Sequence, residues 1–139
     1  MSPRMMAYPK GRRAPGARQA VVLVHGYGST CSTNFSELAH ELVTLDTASK
    51  FNLYCVDYDT NAGLEALGER LGELLQKLET EHDRIAVLGY SMGGLVSRMA
   101  LMLTDLPKTT RLVTLASPNQ GVFSSAQLNH FTQMLANSG

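Results

Sequence analysis

Arg84-Ile85-Ala86-Val87-Leu88-Gly89-Tyr90-Ser91-Met92-Gly93-Gly94 decides how the rest of this chain is read. Its first five residues are a β-branched and apolar run of strand length. From Leu95 to Leu103 an apolar segment of helix length follows, without Pro. Between the two, Gly89-Tyr90-Ser91-Met92-Gly93 has the G-x-S-x-G pattern of a nucleophile elbow, a sharp strand-to-helix turn that holds a serine hydroxyl out at the end of a sheet. Gly89 and Gly93 stand where a Cβ would meet neighbouring backbone. At roughly 7% Gly and 7% Ser, about one chain in twenty of this length carries such a pattern by chance, so the flanking strand and helix must carry the assignment. They favour a serine hydrolase over a plain turn serine.

Outward from this turn the chain alternates strands and helices. Ala20–Val24 reads as a fully buried strand, and a glycine-rich loop, His25–Thr33, follows it. A helix is expected from near Asn34 to Leu45, with Phe35, Leu38, Ala39, Leu42, Val43 and Leu45 on one stripe. Phe51–Val56 reads as the second strand, and Asp57, Asp59, Asn61 and Gly63 mark a loop. Leu64, Leu67, Leu71, Leu74, Leu75 and Leu78 line one face of a helix over 64–80; such a stripe serves either a dimer or, far more commonly, packing on the chain's own sheet. Arg111–Ala116 is a fourth strand after the Arg84 strand, Ser117–Gly121 a turn, and Ser124–Ala136 a last helix. The pattern predicts an α/β fold: a parallel sheet of about four strands with helices on both faces. Active sites of such sheets gather at the strands' C-terminal ends. That end collects the loops 25–33, 57–63, 89–93 and 117–123, and the opposite end collects 46–50, 81–84 and 104–110.

With 139 residues, 44% of them apolar and 17% charged, the chain is the size of one globular domain. A formal net charge of zero implies no nucleic-acid partner. Arg4, Lys10, Arg12, Arg13 and Arg18 stand in residues 1–19 without an acid and among Pro3, Pro9, Gly11, Pro15 and Gly16, so 1–19 is expected to be a flexible basic tail before a domain over 20–139. A targeting role stays open for the tail, although it lacks the apolar core of a secretory signal, and no run approaches the roughly 18 apolar residues of a transmembrane segment. Cys31 and Cys55 are too few for a disulfide scaffold; one bridge could form, but two reduced cysteines are the expectation. The compartment stays open, with the cytoplasm favoured.

His25-Gly26-Tyr27-Gly28 ends the first strand on the same side of the sheet as Ser91. Two glycines let backbone approach a substrate closely, and a loop N–H can join that of Met92 at a helix N-terminus. Two such donors make an oxyanion hole, each typically worth about 3–4 kcal/mol of barrier. With these residues in place, the chain resembles an α/β-hydrolase of the small lipase and esterase branch. Val22-Leu23-Val24-His25-Gly26-Tyr27-Gly28 resembles the oxyanion strand of that family, and Leu88-Gly89-Tyr90-Ser91-Met92-Gly93-Gly94 its elbow. Val113-Thr114-Leu115-Ala116-Ser117-Pro118-Asn119-Gln120-Gly121 is similar to the strand and turn after the nucleophile helix in bacterial lipases and GPI-inositol-deacylase-like proteins. The matches run from about residue 20 to 123. The resemblance implies that Ser91 is the nucleophile, that the N–H groups of Tyr27 and Met92 form the oxyanion hole, that Gly26, Gly28, Gly89 and Gly93 are structural, that lipid or other small esters are the substrates, and that no cofactor or metal is needed.

The family order is Ser, then Asp or Glu, then His. The strands that would carry the acid and the histidine are expected beyond residue 139, so the chain reads as a shortened hydrolase core. Of its own histidines, His25 belongs to the oxyanion motif, His40 lies off its helix stripe, and His82 is at the wrong end of the sheet. His130, the one histidine after Ser91, is the base the chain order offers, against a surface place on the last helix. Asp105 fits the order of a triad acid but not its geometry, being roughly 20 Å away at the far end of the helix; Asp57 and Asp59 are at the correct end but read as loop residues. The segment Ser124–Ala136 begins a lid or is the next sheet-packing helix. Two functions follow. One is an esterase or lipase acting through a Ser91 acyl-enzyme. The other is a catalytically incomplete module that binds an acyl ligand or a partner, with self-association through an exposed sheet edge.

Overall fold

Val21, Val22, Leu23 and Val24 are all fully buried, as a central strand covered on both faces must be. In the computed structural model, which describes residues 3–9, 14–46 and 49–115, the elements are β1 (Arg4–Ala7), β2 (Gln19–Val24), α1 (Cys31–Leu45), β3 (Phe51–Asp57), α2 (Leu64–Glu79), β4 (Arg84–Tyr90), α3 (Met92–Leu103) and β5 (Thr109–Leu115). Five strands form one sheet in the order β1-β3-β2-β4-β5. β2 pairs in parallel with β3 and β4, and β4 with β5; β1 alone is antiparallel, to β3. The α/β architecture is the one expected from the alternation.

The pleat of β2 divides the core. Ala20, Val22 and Val24 join Leu67, Leu71, Leu75, Val96 and Ala100 of α2 and α3 on one face. Val21 and Leu23 join Phe35, Leu38 and Leu42 of α1 on the other. The leucine stripe of α2 thus packs on its own sheet. Each fully buried Leu or Phe contributes about 1.5–3 kcal/mol through the water it no longer orders. Among the described residues no helix is long and apolar enough to cross a membrane.

Three expectations are corrected. The stretch expected to be a flexible tail contains β1, with Arg4 opposite Asp57 and Ala7 opposite Tyr54. The Tyr8 N–H also donates to the Leu53 carbonyl at 2.9 Å. The cause is nonlocal: the outer edge of β3 would otherwise leave its N–H and C=O groups unpaired, and composition does not register that demand. The sheet of about four strands accordingly has a fifth, antiparallel one at this edge. Helix α1 starts at Cys31, three residues early, because Thr30 caps it: the Thr30 Oγ1 accepts from the Thr33 N–H at 3.1 Å.

The third correction concerns the cysteines, which form a disulfide, Cys31–Cys55, with a Cα–Cα distance of 6.2 Å. The start of α1 lies over the C-terminal half of β3, and both residues face the same buried cluster. With the thiols joined, nothing about them favours the cytoplasm. The bridge closes a loop with a sequence separation of 24 residues, for which loss of chain entropy in the unfolded state predicts about 3 kcal/mol. The double variant Cys31→Ala/Cys55→Ala is expected to lose that amount in urea unfolding, and dithiothreitol should lower the midpoint of the wild type but not of the variant.

Candidate active site

Ser91 joins β4 to α3 with φ 56° and ψ −119°, in the positive-φ region that non-glycine residues avoid. Such a conformation costs on the order of 1–3 kcal/mol and persists only where the surroundings impose it. The Ser91 N–H donates to the Leu115 carbonyl at 2.6 Å, and the Gly94 N–H to the Ser91 carbonyl at 2.9 Å. The Ser97 hydroxyl donates to the Gly93 carbonyl at 2.7 Å. A Cβ on Gly89 would lie 2.6 Å from Gly94 Cα, and one on Gly93 only 2.1 Å from the Val24 carbonyl oxygen. The two glycines therefore let the turn close on itself and press against the end of β2. Ser91 stays exposed, and Met92 opens α3, so its amide is at the positive end of the helix.

The loop after β2 lies directly beside this serine: a Cβ on Gly26 would come within 3.3 Å of Ser91 Cβ. His25 is buried, with Nδ1 2.9 Å from the Gly26 carbonyl and Nε2 3.7 Å from Asp57 Oδ1. Its ring stacks on Tyr58 at a centroid distance of 4.3 Å. The Asn34 Oδ1 accepts from the Gly26 N–H at 2.9 Å and the Thr60 Oγ1 from the Gly28 N–H at 3.0 Å. The Tyr27 N–H finds no acceptor among the described residues. Its exposed side chain donates to Asn61 Oδ1 at 3.3 Å. Loops 25–30 and 58–63 thus meet at the strands' C-terminal end, and the first of them lies beside Ser91.

Tyr58 donates its hydroxyl proton to the His25 carbonyl, and burial pushes its pKa from 10.0 up to about 12. The folded chain keeps this proton where the unfolded chain releases it. Its stabilising share is therefore complete below pH 10 and lost as pH rises towards about 12. Denaturant unfolding across that window should show stability falling with pH, and falling less steeply in Tyr58→Phe.

The other candidates are dispersed. Asp57 Oδ1 accepts from the Cys31 N–H at 3.4 Å, and Asp59 Oδ1 from the Asn61 N–H at 3.0 Å. Asp105 follows α3, whose 12 residues carry the chain about 18 Å from the serine at 1.5 Å per residue. His40 is exposed on α1. His82 is buried at the opposite end of the sheet, with Nδ1 at the Leu78 carbonyl and Nε2 at Asn52 Nδ2. His130, the turn 117–121 and the segment Ser124–Ala136 lie outside the described residues. Among those described, no group of three His, Cys, Asp or Glu could hold a metal ion. Sequence reasoning missed Asn34, Tyr58 and Thr60. Asn34 carried one sign, a polar residue at the start of an apolar stripe; the other two carried none.

A family model described as palmitoyl protein thioesterase matches residues 20–138. No curated protein matches the sequence. Among solved structures, the mature lipase BlEst2 of Bacillus licheniformis superposes with a TM-score of 0.62 at 19% identity, over 80% of this chain and 45% of that one. MenH from S. aureus gives 0.55 at 19% identity, over 99% and 49%. A phospholipase/carboxylesterase from Dyadobacter fermentans gives 0.55 at 12% identity, over 97% and 96%. At these identities the likeness is one of fold. The chain spans less than half the length of the first two structures.

Proposed function

The chain belongs to the palmitoyl protein thioesterase family, and on that premise we propose that it hydrolyses acyl esters or thioesters through an acyl-enzyme on Ser91. One observation carries the proposal: an exposed serine at φ 56° beside a loop whose Tyr27 amide has no acceptor among the described residues. Strain of this kind clusters at sites of chemistry. In the proposed reaction Ser91 Oγ attacks the acyl carbonyl carbon, and the carbonyl oxygen takes up negative charge beside the N–H groups of Tyr27 and Met92. A histidine accepts the serine proton and returns it to the departing alcohol or thiol; water then reverses the sequence and frees the acid. Within this stretch His130 is the base that chain order offers; His25 and His82 have ring nitrogens at the Gly26 and Leu78 carbonyls, and His40 is exposed on α1. The acyl group fits both the family description and the lipase-like fold.

A second reading, an acyl-binding module without turnover, is favoured by one fact: no histidine among the described residues hydrogen-bonds Ser91. A fluorophosphonate probe separates the two. Phosphonylation mapped by mass spectrometry to the peptide containing Ser91 is the expected result. A folded chain that takes up no label would select the binding module.

A further inference from the structure

Side chains that the proposed reaction leaves unused hold the loop between β2 and α1. The Tyr58 hydroxyl donates to the His25 carbonyl. The amides of Gly26 and Gly28 donate to Asn34 and Thr60, both only 9% exposed. The Cys31 N–H donates to Asp57. Every second amide from residue 26 to 28 is tied inward, and the one between them, that of Tyr27, has no acceptor among the described residues. The Tyr27 N–H shares a peptide plane with the Gly26 carbonyl, which accepts from the Ser29 N–H at 3.2 Å and stands 2.9 Å from His25 Nδ1; anchoring the Gly26 and Gly28 amides on either side limits how far that plane can turn. Glycine on both sides of Tyr27, with Gly28 at φ +65°, leaves the torsions that those anchors restrain soft.

We infer that Asn34 and Thr60 are positioning residues, which hold the Tyr27 N–H fixed and unpaired so that it can meet the charge that develops on the acyl oxygen. A donor fixed in advance needs no reorganisation when that charge forms. The inference rests on Ser91 being the reacting group. Asn34 works from the first turn of α1 and Thr60 from the loop after β3, so two elements anchor the peptides on either side of the one that carries the Tyr27 N–H. Neither side chain touches substrate in this scheme; each acts through the amide it anchors.

The test uses isosteric pairs: Thr60→Val and Asn34→Leu remove the acceptor, while Thr60→Ser and Asn34→Asp keep it. Amide hydrogen exchange in the unlabelled chain should show Gly26 and Gly28 protected and Tyr27 fast. Thr60→Val should expose Gly28 alone, and Asn34→Leu Gly26 alone. The saturating rate constant for fluorophosphonate labelling should fall about tenfold to a hundredfold in both acceptor-less variants. The half-saturating probe concentration should stay put, and the acceptor-keeping variants should recover most of the rate. A labelling rate unchanged in Thr60→Val, or a Tyr27 amide protected in the free chain, would overturn the positioning role. No labelling of the wild type, with the amide pattern intact, would instead sink the Ser91 reading on which that role depends.

Discussion

Ser91→Ala is expected to erase ester or thioester turnover while leaving the fold intact. In serine hydrolases that have their base and acid, removing the nucleophile costs about 10⁶-fold in kcat. The remainder, roughly 10³-fold over water, comes from binding and the oxyanion donors alone. Alanine lacks the Oγ but keeps the Cβ, so the strain at φ 56° remains. Ser91→Gly separates the two properties. Glycine adopts positive φ freely, so this variant should gain about 1 kcal/mol in stability while losing turnover to the same degree. Kinetics on a thioester substrate and urea unfolding of both variants check the pair. Turnover retained in Ser91→Ala would remove the serine from the mechanism.

Gly93→Ala should produce the largest loss of stability of any single methyl group added near the site. The new Cβ would stand 2.1 Å from the Val24 carbonyl oxygen and 2.6 Å from that of His25. Both neighbours are backbone at the end of the central strand, which pairs with β3 on one side and β4 on the other. Neither can yield as the far end of a side chain could. A cost of about 4 kcal/mol or more is expected, in the range reserved for overpacking and backbone strain. Thermal unfolding measures it directly. Because α3 must shift to relieve the clash, fluorophosphonate labelling of Ser91 should also slow in whatever fraction remains folded. A Gly93→Ala variant as stable as the wild type would mean that the turn does not press on β2.

The strand Arg84–Tyr90, the turn at Ser91 and the helix after it were legible because their determinants are neighbours in the chain. An apolar run, two glycines flanking a serine and a helical stripe each act within a few residues. The same holds for α2, whose leucines recur at helical spacing and are buried where that spacing puts them. Placing His25–Gly28 beside Ser91 needed one further rule, that parallel strands bring their C-terminal loops to one end. The start of α1 was missed although Thr30 is a capping residue, because the loop before it, rich in Gly and Ser, hid the boundary.

By itself the sequence determined the α/β alternation, the parallel sheet, the end of the sheet where loops gather, and the turn that exposes Ser91. Only the tertiary structure decided that Arg4–Ala7 completes the edge of β3, that Cys31 and Cys55 are joined, and that Asn34 and Thr60 take the amides on either side of Tyr27. The physical reason is the range of the interaction. Periodicity and turn chemistry are written in adjacent residues. A free strand edge, a pair of thiols and the Gly28 amide find their partners only after segments far apart in the chain have been packed together; Gly28 and Thr60 are separated by 32 residues. The Ser91 turn joins both ranges: its glycines are local letters, but the contact that requires Gly93 is with the carbonyl of Val24, on a strand that no pattern around the serine specifies.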